Sequence, residues 1–308
     1  MALLAALLLC PAQALQSARN GLELCARVII PSLFPFFVLS GIISAMGIPA
    51  RLGRAAAPVM SALFRVSGDG AAAFILGVCG GYPLGAATVA ELVRGGSVSR
   101  EEGERLLAFC NNSGPAFILG AAGAGIFGSA EIGLKLYAAH VLAAAAAGFV
   151  MARGAKNECS RAASCAIPEQ SFASALPSAV KNSVGTVLTV CGFVVAFTVL
   201  TGILDASGFF PAVIGRAAVL SRQGLHFSRA LLTGILELGS GIGAMEGLAP
   251  TAKNLALCSF IIGWGGLSVH FQTAAVVAGT GMKTARHTAG RLLCGPISAL
   301  IMLLFSRL

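Results

Sequence analysis

Charge is the scarcest property of this chain. Asp, Glu, Lys and Arg make up 11 % of its 308 residues, less than half the ~25 % of an ordinary soluble domain. A water-exposed globule is therefore excluded. Tyrosine (2) and tryptophan (1) are nearly absent, and the one long polar stretch is GAKNECSRAASCAIPEQSFA at 154–173. The nine cysteines form no C-x-x-C, and seven of them lie in apolar stretches, where a lone cysteine behaves as a small hydrophobe. No metal site and no cofactor is expected from them. H-E-x-x-H, the P-loop and G-x-S-x-G are all missing, so the common catalytic motifs are too. Ser240 or Ser268 can be drawn with His270 as a dyad, but no spacing supports it, and the chain is read as not an enzyme. The net charge of +9 comes from 21 basic residues scattered at segment ends. That scatter suits lipid headgroups and argues against nucleic acid.

What is present is apolar residue and glycine. Hydrophobic residues make up 56 %, and the 39 glycines follow no G-X-Y period. A bilayer core of ~30 Å needs about 20 apolar helical residues. Uncharged runs cover 1–18, 28–50, 70–90, 106–130, 136–152, 182–204, 254–282 and 292–306. The first reads as a short lead transmembrane helix interrupted near Pro11, and 154–173 reads as a linker between halves. The fold class is an all-α polytopic membrane protein.

The halves resemble each other. FFVLSGI at 36–42 matches FTVLTGI at 197–203, GVCGGYPLGA at 77–86 sits opposite LELGSGIGAM at 236–245, and 109–118 sits opposite 260–269. The offset shrinks along the chain, which places a surplus of the first half in GGSVSREEGE at 95–104. The first repeat spans 21–153, with a hairpin at 68–95 and a broken helix at 104–128. The second spans 174–308, with a hairpin at 226–250 and a broken helix at 254–281. A re-entrant hairpin does not cross, so each repeat crosses three times and the second is inverted. Inverted repeats with broken helices are a recurrent transporter plan. Seven spans follow, and the distribution of Lys and Arg puts the N-terminus in the cytoplasm.

The breaks carry the candidate site. Gly80 and Gly81 free the backbone before Tyr82, and Pro83 suits the first turn of a new helix. Asn111, Asn112 and Ser113 precede Gly114 and a second proline. Gly239, Ser240 and Gly241 answer in the other half, as do Trp264, Gly265 and Gly266. Free N–H groups at helix starts attract anions. Ser268, His270 and Gln272 add polar groups at depth. Glu237 is an ionisable group within a membrane segment, a functional hypothesis by default, and is the candidate for a coupling Na+ or H+. His140 and His287 fall near segment ends and carry no expected role. The expected partners are a small-molecule solute and the lipid bilayer, with a homo-oligomer left open. No Lys or Arg falls within 77–86, 109–118, 236–245 or 260–272, so an anion is expected to be held without arginine.

The run GVCGGYPLGAATVAELVRGGSVSREEGERLLAFCNNSGPAFILGAAGAGIF resembles the signature of the YlbJ/SpoVV family of sporulation integral membrane proteins. PSLFPFFVLSGI at 31–42, Glu237 in its hairpin and WGGLSVHFQ at 264–272 fit the same family. The resemblance covers nearly the whole chain. It implies a gate or "nucleoside recognition" domain, similar to concentrative nucleoside transporters. It further implies a transporter acting in endospore formation, in the outer forespore membrane, with dipicolinate as cargo; the alternatives are a nucleoside-type solute transporter and a non-transporting membrane scaffold for spore morphogenesis.

Overall fold

A computed structural model describes residues 7, 8, 10–153, 170–221 and 224–307, and among them there are helices and no strand. Most of the expected linker, and the start of the expected lead helix, lie outside the described residues. Leu7 and Leu8 are helical, the chain bends at Cys10, and Pro11 opens the next helix at a first-turn position where its missing N–H costs nothing, so an interruption falls where it is expected. Helix α1 (Pro11–Leu24) passes through a π-helical turn (Cys25–Ile29) into α2 (Ile30–Ala45). The division expected at 18–21 therefore falls inside α1. Arg19 and Asn20 end the apolar run, yet they are exposed helical residues, and Gln16 Nε2 bonds Asn20 Oδ1 at 3.0 Å one turn away. The two limbs meet at 52°, a bend that the π turn and the prolines at 31 and 35 explain.

The same order of elements then runs twice. The first half continues with α3 (Ile48–Phe64), α4 (Gly68–Gly80), α5 (Leu84–Arg94), α6 (Arg100–Cys110), a π-helix (Ala116–Ile126) and α7 (Ala130–Ala152). The second half has α8 (Phe172–Ala206), α9 (Phe209–Ser221), α10 (Leu225–Leu236), α11 (Leu238–Gly243), α12 (Ala252–Trp264), α13 (Gly266–Val277) and α14 (Ala285–Phe305). The surplus of the first half lies elsewhere than expected. The turn at 95–99 is shorter than its counterpart at 244–251, whereas α5 has 11 residues against 6 in α11.

Four described helices are long and apolar enough to cross a membrane, or up to six spans if each bent pair counts as one. The first bent pair, Pro11–Ile29 with Leu33–Ala45, takes in residues 11–18 of the expected lead segment; residues 1–6 and 9 of that segment lie outside the described residues. Large apolar side chains such as Leu134, Leu142, Leu188, Leu300 and Leu304 stay exposed. In water they would be a liability; against lipid tails they cost nothing.

Helix α14 is the central post, packing against α12, α7 and α6. Small residues let it approach closely, as is usual between membrane helices. A Cβ on Gly263 of α12 would stand 2.8 Å from Gly295 Cα, and Gly290 lies directly on the Ala108 carbonyl of α6. Ser259 and Ser298 share a buried hydroxyl bond of 2.7 Å across α12 and α14. On the other side α1 and α2 lie along α8. The halves are also stitched together at their ends. Arg94 donates to the carbonyls of Val276 and Ala278 at 3.1 and 3.3 Å, satisfying the C-terminus of α13. The Lys283 N–H donates to Glu104 at 2.8 Å.

Candidate functional site

The tip of the first hairpin is Gly81-Tyr82-Pro83, between α4 and α5. Gly81 sits at φ +85, ψ −176, a conformation that is essentially glycine-only. Space there is as tight as the torsion angle is special. A Cβ on Gly81 would meet Gly114 N at 2.7 Å and Gly114 Cα at 2.9 Å. The hairpin tip thus lies backbone to backbone against the break between α6 and the π-helix. Gly77 and Gly85 pack on the Cys110 carbonyl just before that break.

The second half builds its two breaks differently. Between α10 and α11 only Glu237 is extended (φ −144, ψ 123), and its carboxylate accepts the N–H groups of Gly239 (2.9 Å) and Ser240. This is an N-cap made by a glutamate that is 2 % exposed. Between α12 and α13 the chain turns on two successive left-handed glycines, Gly265 (φ +85) and Gly266 (φ +79). A Cβ on Gly265 would stand 3.0 Å from the Tyr82 hydroxyl, and one on Gly266 would stand 2.8 Å from Leu238 N. One glycine touches the first hairpin tip and the next touches the second.

Three of the breaks, and the helix that follows the fourth, line one cavity of about 60 Å³. Tyr82 comes from the first tip, Ser113, Gly114 and Phe117 from the first broken helix, Glu237, Leu238 and Gly239 from the second tip, and Val269 and Gln272 from α13. The remaining wall is Ile29 and Leu33 from the α1–α2 bend and Val190 and Val194 from α8. A mostly apolar wall with a few convergent polar groups is the usual make-up of a small-molecule site. Gln272 is 2 % exposed and its Oε1 has no hydrogen-bond partner.

Several residues singled out in the sequence stand behind this wall. Gly80, Gly81 and Pro83 shape the tip, and the Tyr82–Pro83 peptide is cis. Asn111 is fully buried and ties the halves together, with its Nδ2 donating to Thr273 Oγ1 at 2.8 Å and its Oδ1 accepting from Ala86 N at 3.3 Å. That last bond occupies an N–H at the start of α5, and Leu84 and Ala87 donate theirs to Gly81 and Pro83 carbonyls. The helix start near Pro83 thus has few donors left for a ligand. Asn112 donates to the Phe109 carbonyl at 2.7 Å. Gly241 packs on Gly234, and Ser240 gives its N–H to the Glu237 cap. Trp264 donates to the Ile235 carbonyl at 3.0 Å and lies 4.3 Å from the His270 ring. Ser268 is wholly buried and its Oγ has no partner.

Three further residues belong to the scaffold of the site. His140, in the middle of α7, and His287, in the first turn of α14, are both fully buried. His140 Nε2 accepts the Ser113 N–H at 3.0 Å, and His287 spans the Leu107 carbonyl (3.1 Å) and Thr273 Oγ1 (3.4 Å). The third is Arg291. It is one of the 21 basic residues that border the apolar runs, yet it has zero exposure. Its Nη1 donates to Tyr82 Oη and Asn112 Oδ1, both at 3.3 Å, and its Nη2 to the Ala108 carbonyl at 3.4 Å. An arginine therefore stands directly behind the site that was expected to lack one. The available signal was its setting. Gly290, Cys294 and Gly295 put small residues around Arg291, the mark of a helix face that packs against protein.

Residues 26–155 match the family model for the nucleoside recognition (Gate) domain. Fold and match together define an all-α, polytopic integral membrane protein with a match to that domain over residues 26–155. The chain is 31 % identical to the sporulation integral membrane protein YlbJ of Bacillus subtilis (strain 168), over 96 % of this chain and 78 % of that protein. It belongs to the YlbJ family of sporulation integral membrane proteins. No solved structure matches it.

Proposed function

We propose that this protein is a membrane transporter of a small organic solute in sporulating cells, and that the solute is an aromatic dicarboxylate such as dipicolinate. One observation carries the reading: three chain breaks, and the helix that follows a fourth, converge from both halves on a single cavity with buried polar groups. Irregular backbone at membrane depth is tolerated only inside protein or beside a cavity, and in repeat-built transporters it marks the cargo site. Gly114 and Phe117 place the start of the π-helix at the cavity wall, where the first N–H groups of a helix have no partner of their own. Tyr82 and Gln272 supply further polar contacts. Glu237 is the group through which Na+ or H+ would couple to flux. The direction proposed is export from the mother cell across the outer forespore membrane.

A nucleoside is the second reading, favoured by the nucleoside recognition model over residues 26–155. Uptake of labelled dipicolinate by purified protein in liposomes decides between them. Dipicolinate flux that unlabelled dipicolinate blocks and nucleosides do not supports the first reading. Block by nucleosides with indifference to dipicolinate defeats it. No flux of either solute, with correctly inserted protein, defeats transport of both.

A further inference from the structure

A buried guanidinium normally has a carboxylate beside it, because the cost of taking an unpaired charge out of water is several kcal/mol. Arg291 has none. Its three hydrogen bonds all go to neutral oxygens, those of Tyr82, Asn112 and Ala108. No carboxylate of the described residues pairs with it. The titratable groups around it are Tyr82, Cys110, Cys294 and the imidazoles of His140, His270 and His287, none of which is anionic at neutral pH in its ordinary form. Of the five N–H donors of a guanidinium, three are used here, and Nε is buried without a partner.

The charge also has a route to the cavity. Arg291 does not line it, but Tyr82 does. The Tyr82 hydroxyl accepts from Arg291 on one side and donates to the Ile262 carbonyl on the other, the latter at only 3.5 Å. A hydroxyl that accepts from a cation becomes a stronger donor. A carboxylate in the cavity is a better acceptor for it than a peptide carbonyl at that distance. The neighbouring Asn112 holds the guanidinium in place, with its own amide anchored on Phe109.

We propose that Arg291 is the charge-selecting residue of this site, acting through the Tyr82 hydroxyl to make the cavity favour carboxylates over neutral solutes. This rests on the transporter reading for its cargo but not for its test. Arg291 is a positioning and electrostatic residue, since it does not itself reach the cavity.

The test is equilibrium binding to purified protein by calorimetry, alongside flux in liposomes. The probes are pyridine-2,6-dicarboxylate and its neutral isostere pyridine-2,6-dicarboxamide. Wild type should prefer the dicarboxylate by tenfold or more. Arg291→Gln should erase that preference while binding of the dicarboxamide changes less than threefold. Arg291→Lys, which keeps the charge, should restore most of it. Tyr82→Phe should erase it as well, and Arg291→Gln added to Tyr82→Phe should then matter little. If Arg291→Gln fails to fold, Arg291→Lys and Tyr82→Phe still decide the matter. Equal losses for both probes overturn the proposal and make Arg291 a structural pin. So does a wild type that does not discriminate between the probes. Charge-selective binding that depends on Arg291, without flux, upholds this inference and defeats transport. Flux with charge-blind binding does the reverse.

Discussion

Gly81→Ala is the sharpest probe of whether the first hairpin tip and the first broken helix must touch. Two costs fall on the added methyl. The backbone at φ +85, ψ −176 costs of order 1–3 kcal/mol for a residue with a Cβ. The methyl also meets Gly114 N and Cα at 2.7 and 2.9 Å, both backbone atoms, and overpacking of this kind costs about 1–3 kcal/mol more. The change is local, because the rest of the hairpin keeps its packing on α3 and α6. The tip relieves the clash by moving away from Gly114, and a displacement worth about 2 kcal/mol lowers the population of the native arrangement roughly 30-fold. Gly96→Ala is the control. It has the same sign of φ (+74) but nothing within 4 Å of its Cβ, so it carries only the left-handed cost of about 1–2 kcal/mol, in an exposed turn. The assay is paired: thermal unfolding in detergent, and flux in liposomes at equal protein. Gly81→Ala should lose at least tenfold in flux with the protein still inserted, and Gly96→Ala should lose almost none. Wild-type flux in Gly81→Ala would show that the close contact of the two breaks is incidental, and the argument for a site built from both would fail.

Glu237→Ala removes both acceptors of the α11 cap and should lower stability by about 0.5–2 kcal/mol, seen as a lower unfolding midpoint; Glu237→Gln should lose part of this, because one of the two N–H groups then faces an amide donor. If Glu237 also carries the coupling ion, Glu237→Gln flux should no longer respond to an imposed Na+ or H+ gradient, and a retained response assigns the coupling elsewhere. His140→Leu leaves the buried Ser113 N–H without its acceptor, at about 1–3 kcal/mol, which the same unfolding measurement would report; an unchanged midpoint would mean that Ser113 finds another partner. Ser298→Ala should cost about 1 kcal/mol by loss of the bond across α12 and α14, with cargo selectivity untouched.

The chain punctuation was readable because it is local chemistry. Gly-Gly-Tyr-Pro, Asn-Asn-Ser-Gly-Pro and Gly-Trp-Gly-Gly each place residues that stop or restart a helix, and the helices end at those positions. The repeated order of elements followed from matching such breaks between halves. Less legible was anything that depends on which face of a helix meets protein. Arg19 and Arg291 each border an apolar run, yet one is exposed and the other fully buried. The difference lies in α6 and α7, which cover Arg291 and come from far away in the sequence. His140 and His287 were discounted for the same reason. The extent of α1 is illegible for another reason, since a hydropathy window ends at a charge while a helix does not. The apolar cavity wall of Ile29, Leu33, Val190 and Val194 gave no signal, because a valine facing a solute reads the same as one facing a leucine.

The pair Gly265 and Gly266 has a mechanical meaning. One meets the Tyr82 side of the assembly and the other meets Leu238, so the two hairpins are kept apart by a single peptide link, about 3.8 Å from Cα to Cα. A partition that thin has no interior of its own: it is one link shared by two hairpins. Neither hairpin tip can be displaced far without disturbing that link, and the link is built from the residue type with the widest range of rotation. The two halves of the molecule therefore meet at their narrowest point, and alanine at either position should disturb both hairpin tips at once, seen as a lower unfolding midpoint in detergent.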